Sequence, residues 1–151
     1  YMVRDIVLCL KEQGFERIIL VIGHGGIFIA NPAVRELNAT NPDIKVIKVD
    51  FLNFLNDSDI VEILECRNNL HACEYETSLM LYMQPDLVRM DLIEDCVPDV
   101  PRDFLNYASI FKFSKNGVWG MPSLASREKG EKLFKLLVDK SINYINTVSI
   151  L

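Results

Sequence analysis

The chain has 151 residues, half of them hydrophobic and a quarter charged, with a formal net charge of −5. That length suits one domain on the scale of roughly 100–200 residues each, and such a chain buries roughly two thirds of its unfolded surface. The acidic balance, with a pI near 5.0, excludes the basic footprint of a nucleic-acid binder, and no apolar run reaches the ~18 residues of a membrane helix.

Residues 2–13 place Val3, Ile6, Val7 and Leu10 at helical spacing, with Gly14 as the stop. Arg17 to Ile22 is a nearly unbroken β-branched and leucine run, expected as a strand buried on both faces. "IGHGG", from Ile22 to Gly26, then carries His24 just past the strand's carboxyl end, where α/β folds build their sites. Its glycines let the backbone approach a ligand closely. Taken alone, His24 reads equally as a functional group and as a turn residue. A phosphate-cradling loop would need a lysine and a longer spacing.

Ile27 to Leu37 is apolar at helical spacing, with a helix expected to begin either there or at Asn31-Pro32. Ile44 to Val49 reads as a second strand, and the following "VDFLNFL" run to Leu55 as a pocket or subunit-contact segment. Asp57-Ser58 is expected to cap a short helix running to about Cys66. Ala72 to Met83 has a helical pattern, with Glu74 and Glu76 near its start. If that helix extends back far enough, Glu74 lies one turn from His71. Pro85, Pro98 and Pro101 mark an irregular stretch through residue 108, in which Arg89 and Asp91 are expected to pair with each other. Ser109 to Ser114 reads as a third strand, Asn116-Gly117 as a turn and Val118 to Pro122 as a return.

Trp119, the sole tryptophan, is placed as a pocket lid or a loop anchor. Ser126 should cap a last helix to about Ile145, with Leu133, Phe134, Leu137, Val138, Ile142 and Ile145 as its buried stripe. Alternating strands and helices predict an α/β fold with a mostly parallel sheet. Cys9, Cys66, Cys73 and Cys96 lack paired spacing and are expected to be reduced thiols of a cytoplasmic protein.

"HACEYETS", from His71 to Ser78, groups a histidine with two carboxylates, side chains that serve divalent metals and acid–base chemistry. An acidic helix start favoured by the helix dipole is the plain alternative. Together with "IGHGG" and the tail "GVWGMPSLASREKGEKL" from Gly117 to Leu133, it resembles the creatininase (creatinine amidohydrolase) family, whose motifs read NGHGGN and HAGExETS. The three segments stand in the family's order, and the likeness spans essentially the whole chain.

The resemblance implies a three-layer α/β/α fold and a metal-dependent amidohydrolase that opens a C–N bond of a small cyclic or linear amide. It implies His24 as a metal ligand, His71 as the residue that handles protons, and Glu76 as ligand or base. Gly26 stands where creatininase has a ligand glutamate, so Glu76, and after it Glu74, are the carboxylates expected to replace it. Glu74 and Trp119 are assigned to substrate binding, and zinc or manganese, with iron as a further option, to the metal. Ile22, Ile27 and Cys73 replace two asparagines and a glycine of the motifs. Cys73 is read as an inert small side chain before a soft ligand. Nothing in residues 1–21 resembles the family's upstream glutamate, histidine and aspartate, so residues 1–151 are expected to be a single creatininase-like domain lacking its amino-terminal part. Expected partners are a small-molecule amide and further copies of the chain, with no nucleic acid and no membrane. The alternative from another class is a catalytically silent subunit or ligand-binding protein.

Overall fold

The structure, a computed structural model, describes residues 1–54 and 58–150. The chain divides into two compact units, one of Tyr1–Asn56 with Leu137–Leu151 and the other of Asp57–Leu136.

In the first unit, helix α1 (Met2–Glu12) leads to strand β1 (Arg17–Ile22), helix α2 (Ala30–Thr40) and strand β2 (Lys45–Asp50). The strands pair in parallel, with Arg17 opposite Lys45 and Ile22 opposite Asp50. A helical crossover between parallel neighbours is the unit from which α/β sheets are built. Val7 of α1, Ile18 of β1, Leu37 of α2 and Val46 of β2 form one buried cluster with Ile44. Each such side chain contributes about 1.5–3 kcal/mol on leaving water. The outer edge of β2 is closed by a side chain. Asn38 of α2 donates to the Val46 carbonyl and accepts from the Val46 amide, both at 2.8 Å, as a neighbouring strand would.

β1 differs from its expected double burial. Ile18 and Ile22 are buried, but Ile19 and Val21, on the opposite face, are 45% and 61% exposed. Only one face of this strand is covered by α1 and α2, so its run of apolar residues is half in the core and half on a bare face. α2 starts between the two expected places: Ile29 is the N-cap, Ala30 opens the helix, Asn31 lies within it and does not cap, and Pro32 falls in its first turn, where a missing amide hydrogen costs nothing.

In the second unit, helix α3 (Ser58–Ile63) and helix α4 (Glu74–Met83) are joined by an irregular loop, and a chain of tight turns follows to helix α5 (Arg127–Ser149). Asp57 and Leu55 lie outside the described residues. Helix α4 starts later than its sequence pattern suggested. Ala72 adopts φ +48, a left-handed conformation unfavourable for a residue with a Cβ, and Cys73 becomes the N-cap. His71 is therefore not on the helix.

The expected third strand does not form. Within Ser109–Ser114, the Ser109 hydroxyl accepts from the Phe111 amide, and the amides of Lys112, Phe113 and Ser114 bond back to Ser109 and Ile110. The segment satisfies its own backbone as a tight turn, so the Phe111/Phe113 alternation marks one ring packed on Trp119 and one left in solvent. The irregular stretch before it is a series of short turns, as its prolines foretold.

Helix α5 begins as expected, with Ser126 Oγ accepting from the Lys129 amide at 3.2 Å. Its stripe is buried only in part: Leu133 and Leu137 are enclosed, whereas Phe134, Val138 and Ile142 remain exposed. The helix's last turns belong to the first unit, where Tyr144 meets Phe54 edge-on at 6.1 Å. In the second unit, α4 and α5 touch backbone to backbone. A Cβ on Gly130 would stand 1.9 Å from the Ser78 carbonyl oxygen and 2.8 Å from Tyr82 Cβ. Among the described residues no helix is long and apolar enough to cross a membrane.

That crossing gives a direct test. Gly130→Ala should destabilise the protein by about 1–3 kcal/mol or more, since an overpacked contact with backbone cannot relax by a rotamer change. Gly23→Ala is the control, because nothing lies within 4 Å of its added Cβ. Thermal unfolding should show a fall of roughly 2–4 °C per kcal/mol for Gly130→Ala and almost none for the control; equal melting temperatures would contradict the close crossing.

Candidate active-site cleft

A cleft of about 490 Å³ opens on the second unit. Its floor is the first face of α4, with Glu76, Thr77 and Met80, and His71 stands at its end with Ala72. Leu87, Arg89, Leu92 and Glu94 make one wall, and Val118 and Pro122 another. Two of the sequence-derived site residues, His71 and Glu76, are thus brought to one cavity.

Backbone pairing fixes His71. Its carbonyl accepts from the Trp119 amide at 2.8 Å and its amide donates to the Trp119 carbonyl at 3.1 Å, an isolated antiparallel bridge. Ala72 then turns the chain left-handed into α4, so the imidazole sits at the junction of bridge and helix. Glu76 occupies the first helical turn, where the helix dipole favours a carboxylate. Its Oε2 accepts from the Cys73 amide at 3.3 Å. That bond completes half of a capping box and leaves the other oxygen for the cleft.

Trp119 does not lid the cleft. It is 0% exposed, donates its indole N–H to Asn68 Oδ1 at 3.0 Å, and packs against Phe113 with ring centroids 6.2 Å apart. The loop-anchor alternative is what the structure shows; a ring enclosed on all sides has no face for a substrate. Gly120 follows with φ +145, and a Cβ there would come 2.6 Å from Cys73 Cβ. Glycine is what lets the Trp119 segment lie against the start of α4.

Glu74 is not a substrate group either. It is 0% exposed and its carboxylate is fully used. The Lys129 ammonium donates to it at 2.6 Å, and the amides of Glu65 and Cys66 at 3.1 and 2.8 Å. Lys129 also donates to Glu65 at 2.6 Å and to the Leu124 carbonyl at 2.7 Å, using all three of its hydrogens. Burial alone would push the Glu74 carboxyl up; Lys129 and the two amides outweigh it and hold it below the ordinary 4.5. Burial likewise pulls the Lys129 ammonium down, and its bonds to Glu65 and Glu74 outweigh that and hold it above 10.5. Sequence reading did not single out Lys129, because nothing near residue 74 announces a partner 55 positions away. An acidic side chain facing a helix crossing was the one available signal, since a buried carboxylate demands a cation.

Cys73 fits the inert reading. It is buried, and that burial pushes its thiol above 9.0, away from the thiolate that ligates metals. The expected Arg89–Asp91 pair is not formed among the described residues.

His24 belongs to the first unit. It leaves β1 in an extended conformation and caps a tight turn at Gly25–Ile27, its Nδ1 accepting from the Gly26 amide at 3.0 Å. A neutral imidazole accepting at Nδ1 carries its proton on Nε2. Ligation through Nε2 requires the reverse, with Nδ1–H donating to a neighbour. Ile22 faces inward and is buried. Among the described residues no group of three His, Cys, Asp or Glu side chains converges as a metal site. The described residues therefore do not by themselves fit a bound metal, and His24 acts here as a turn cap.

The creatininase family profile, described as creatinine amidohydrolase, matches residues 1–145. The chain belongs to the creatininase family. It is 32% identical to a creatinine amidohydrolase of Pseudomonas putida in a match that covers 90% of the chain and 57% of that protein. Among solved structures, it is similar to a mutant creatininase of Zn-Zn type, with 30% identity, a TM-score of 0.77 and coverage of 97% and 61% of the two chains. It is also similar to a manganese creatininase, with 28% identity, a TM-score of 0.79 and coverage of 97% and 62%. The chain thus spans a little over half the length of the creatininases it matches, and the α/β creatininase fold is its fold. Zinc and manganese are bound within this family.

For this creatininase-family chain, Lys129→Met should cost about 3–5 kcal/mol, the penalty of leaving a buried carboxylate unpaired. Adding Glu74→Gln should recover part of it. The Glu74 contribution is present above its unfolded value and disappears as pH falls through the lowered folded value, below about 4.5. The Lys129 contribution is present below 10.5 and disappears as pH rises through the raised folded value. Denaturant unfolding across pH tests both; a Lys129→Met protein as stable as wild type at pH 7 would contradict the pairing.

Proposed function

We propose that the protein carrying this chain is an amidohydrolase that cleaves a C–N bond of a small cyclic or linear amide in the His71–Glu76 cleft. The observation that carries this reading is the meeting of these two side chains in one cavity of substrate size. Membership of the creatininase family supports it.

The chemistry follows from what the two groups can exchange. Glu76 takes a proton from water as the water oxygen bonds to the amide carbon. His71 gives a proton to the nitrogen as the C–N bond breaks. Return of the proton from Glu76 to His71 resets the pair, so acid, amine and enzyme balance.

Dependence on zinc or manganese completes the proposal, supported by the family's metal-bearing structures. His24 is this chain's candidate contribution, and it would have to give up its bond to Gly26 first. No step is assigned to the metal, because the described residues do not complete a site. Homo-oligomeric assembly belongs to the same proposal. The departures at Ile22, Ile27 and Cys73 from the family's motifs favour the second reading, a silent subunit, which the assays below separate from the first.

In the whole protein, His71→Asn and Glu76→Gln should each lower kcat by about 10²–10⁴ on creatinine or a linear amide. Melting temperatures should hold, since glutamine keeps the acceptor that caps α4. Wild-type turnover unaffected by either change would refute the assignment; no turnover of any amide would select the silent subunit. Elemental analysis of protein grown with zinc or manganese should show reduced metal in His24→Ala. An unchanged metal content would remove His24 from the ligand set.

A further inference from the structure

Among the described residues that line the cleft, Arg89 is the single lysine or arginine. Among the described residues its guanidinium has no hydrogen bond or ion pair: it engages neither Asp91, its neighbour on the same turn, nor Glu94, on the same wall. Glu94 has a different partner, the Asn116 amide, at 3.4 Å. The cation therefore faces the same cavity as His71 and Glu76 without a counter-ion, and Leu87, Leu92 and Met80 line that cavity with it. A planar guanidinium fork matches a carboxylate through two parallel bonds. Glu76 and Glu94 in the same cleft make a second negative charge on the ligand unfavourable, which argues against a phosphate dianion.

Resting on the hydrolase reading above, we propose that Arg89 is a specificity-determining residue: the cleft selects an amide that carries one carboxylate, held by Arg89, and an apolar body laid against the leucine wall. The carboxylate end is bound away from the scissile bond, so it aligns the amide between Glu76 and His71 rather than taking part in proton transfer.

N-hexanoylglycine and its neutral isostere N-hexanoylglycinamide separate the charge from the shape. Release of hexanoate by the whole protein should favour the acid over the amide by about 10- to 100-fold in kcat/KM, the range of a charge-assisted hydrogen bond. Arg89→Met should erase that preference by lowering kcat/KM for the acid. Binding without turnover is read by calorimetric titration on the His71→Asn background. There, Arg89→Met should weaken Kd for N-hexanoylglycine by about 10- to 100-fold and leave N-hexanoylglycinamide unchanged. Equal affinity of the acid for both proteins, or no binding of the acid to either, overturns the proposal. Arg89-dependent binding with no hexanoate released by wild type upholds the carboxylate site, and the hydrolase reading falls only if no amide is turned over.

Discussion

The buried Glu74–Lys129 pair is the constraint around which the second unit is arranged. A carboxylate with no exposed surface survives only if every oxygen is satisfied, and here three donors from two separate segments do so. Those donors come from the loop after α3 and from α5, so one side chain at the start of α4 ties all three together. Replacement of such a pair by apolar residues is often neutral in energy. What it supplies here is register: α4 can dock in only one way that leaves neither charge bare.

The functional geometry follows from that docking. With Glu74 turned inward, Glu76 lies two positions on and lines the cleft on the other side of the first turn. Gly130 lets α5 lie directly on the Ser78 carbonyl, and Ser78 in turn accepts from the Ser126 amide at 3.3 Å. The Trp119 bridge holds His71 from behind while the buried indole and Arg102, bonded to the Asn69 carbonyl at 2.9 Å, keep the preceding loop in place. The catalytic candidates are thus set by groups that never meet a substrate. Glu74 and Trp119, assigned to binding by their place in the motifs, are supports for His71 and Glu76.

The elements legible in the sequence are those specified by local periodicity. Residues 2–12, 17–22, 45–50 and the start of α5 could be read because apolar spacing, Gly14 and Ser126 act within one or two turns. Long-range partners were not legible. Asn38 closing the edge of β2 and Lys129 neutralising Glu74 depend on chain segments far from any local pattern. Ser109–Ser114 misled because alternating phenylalanines look the same in a strand and in a capped turn whose amides bond to themselves. His71 left the helix because Ala72 takes a left-handed turn, a conformation that composition does not disclose. Two residues drawn from the family motifs, His71 and Glu76, line one cleft. The motifs did not reveal that His24 caps a turn through the nitrogen whose protonation metal ligation would require.

The central claim is that one amide is handled jointly by His71 and Glu76 in the cleft of the second unit. A crystal structure of the whole protein with a bound, slowly hydrolysed amide measures this most directly. The account predicts the scissile nitrogen within hydrogen-bond reach of His71 and the carbonyl carbon, or its attacking water, beside Glu76, at about 2.6–3.2 Å between heavy atoms. An amide bound elsewhere on the protein, with both side chains facing solvent, would contradict it.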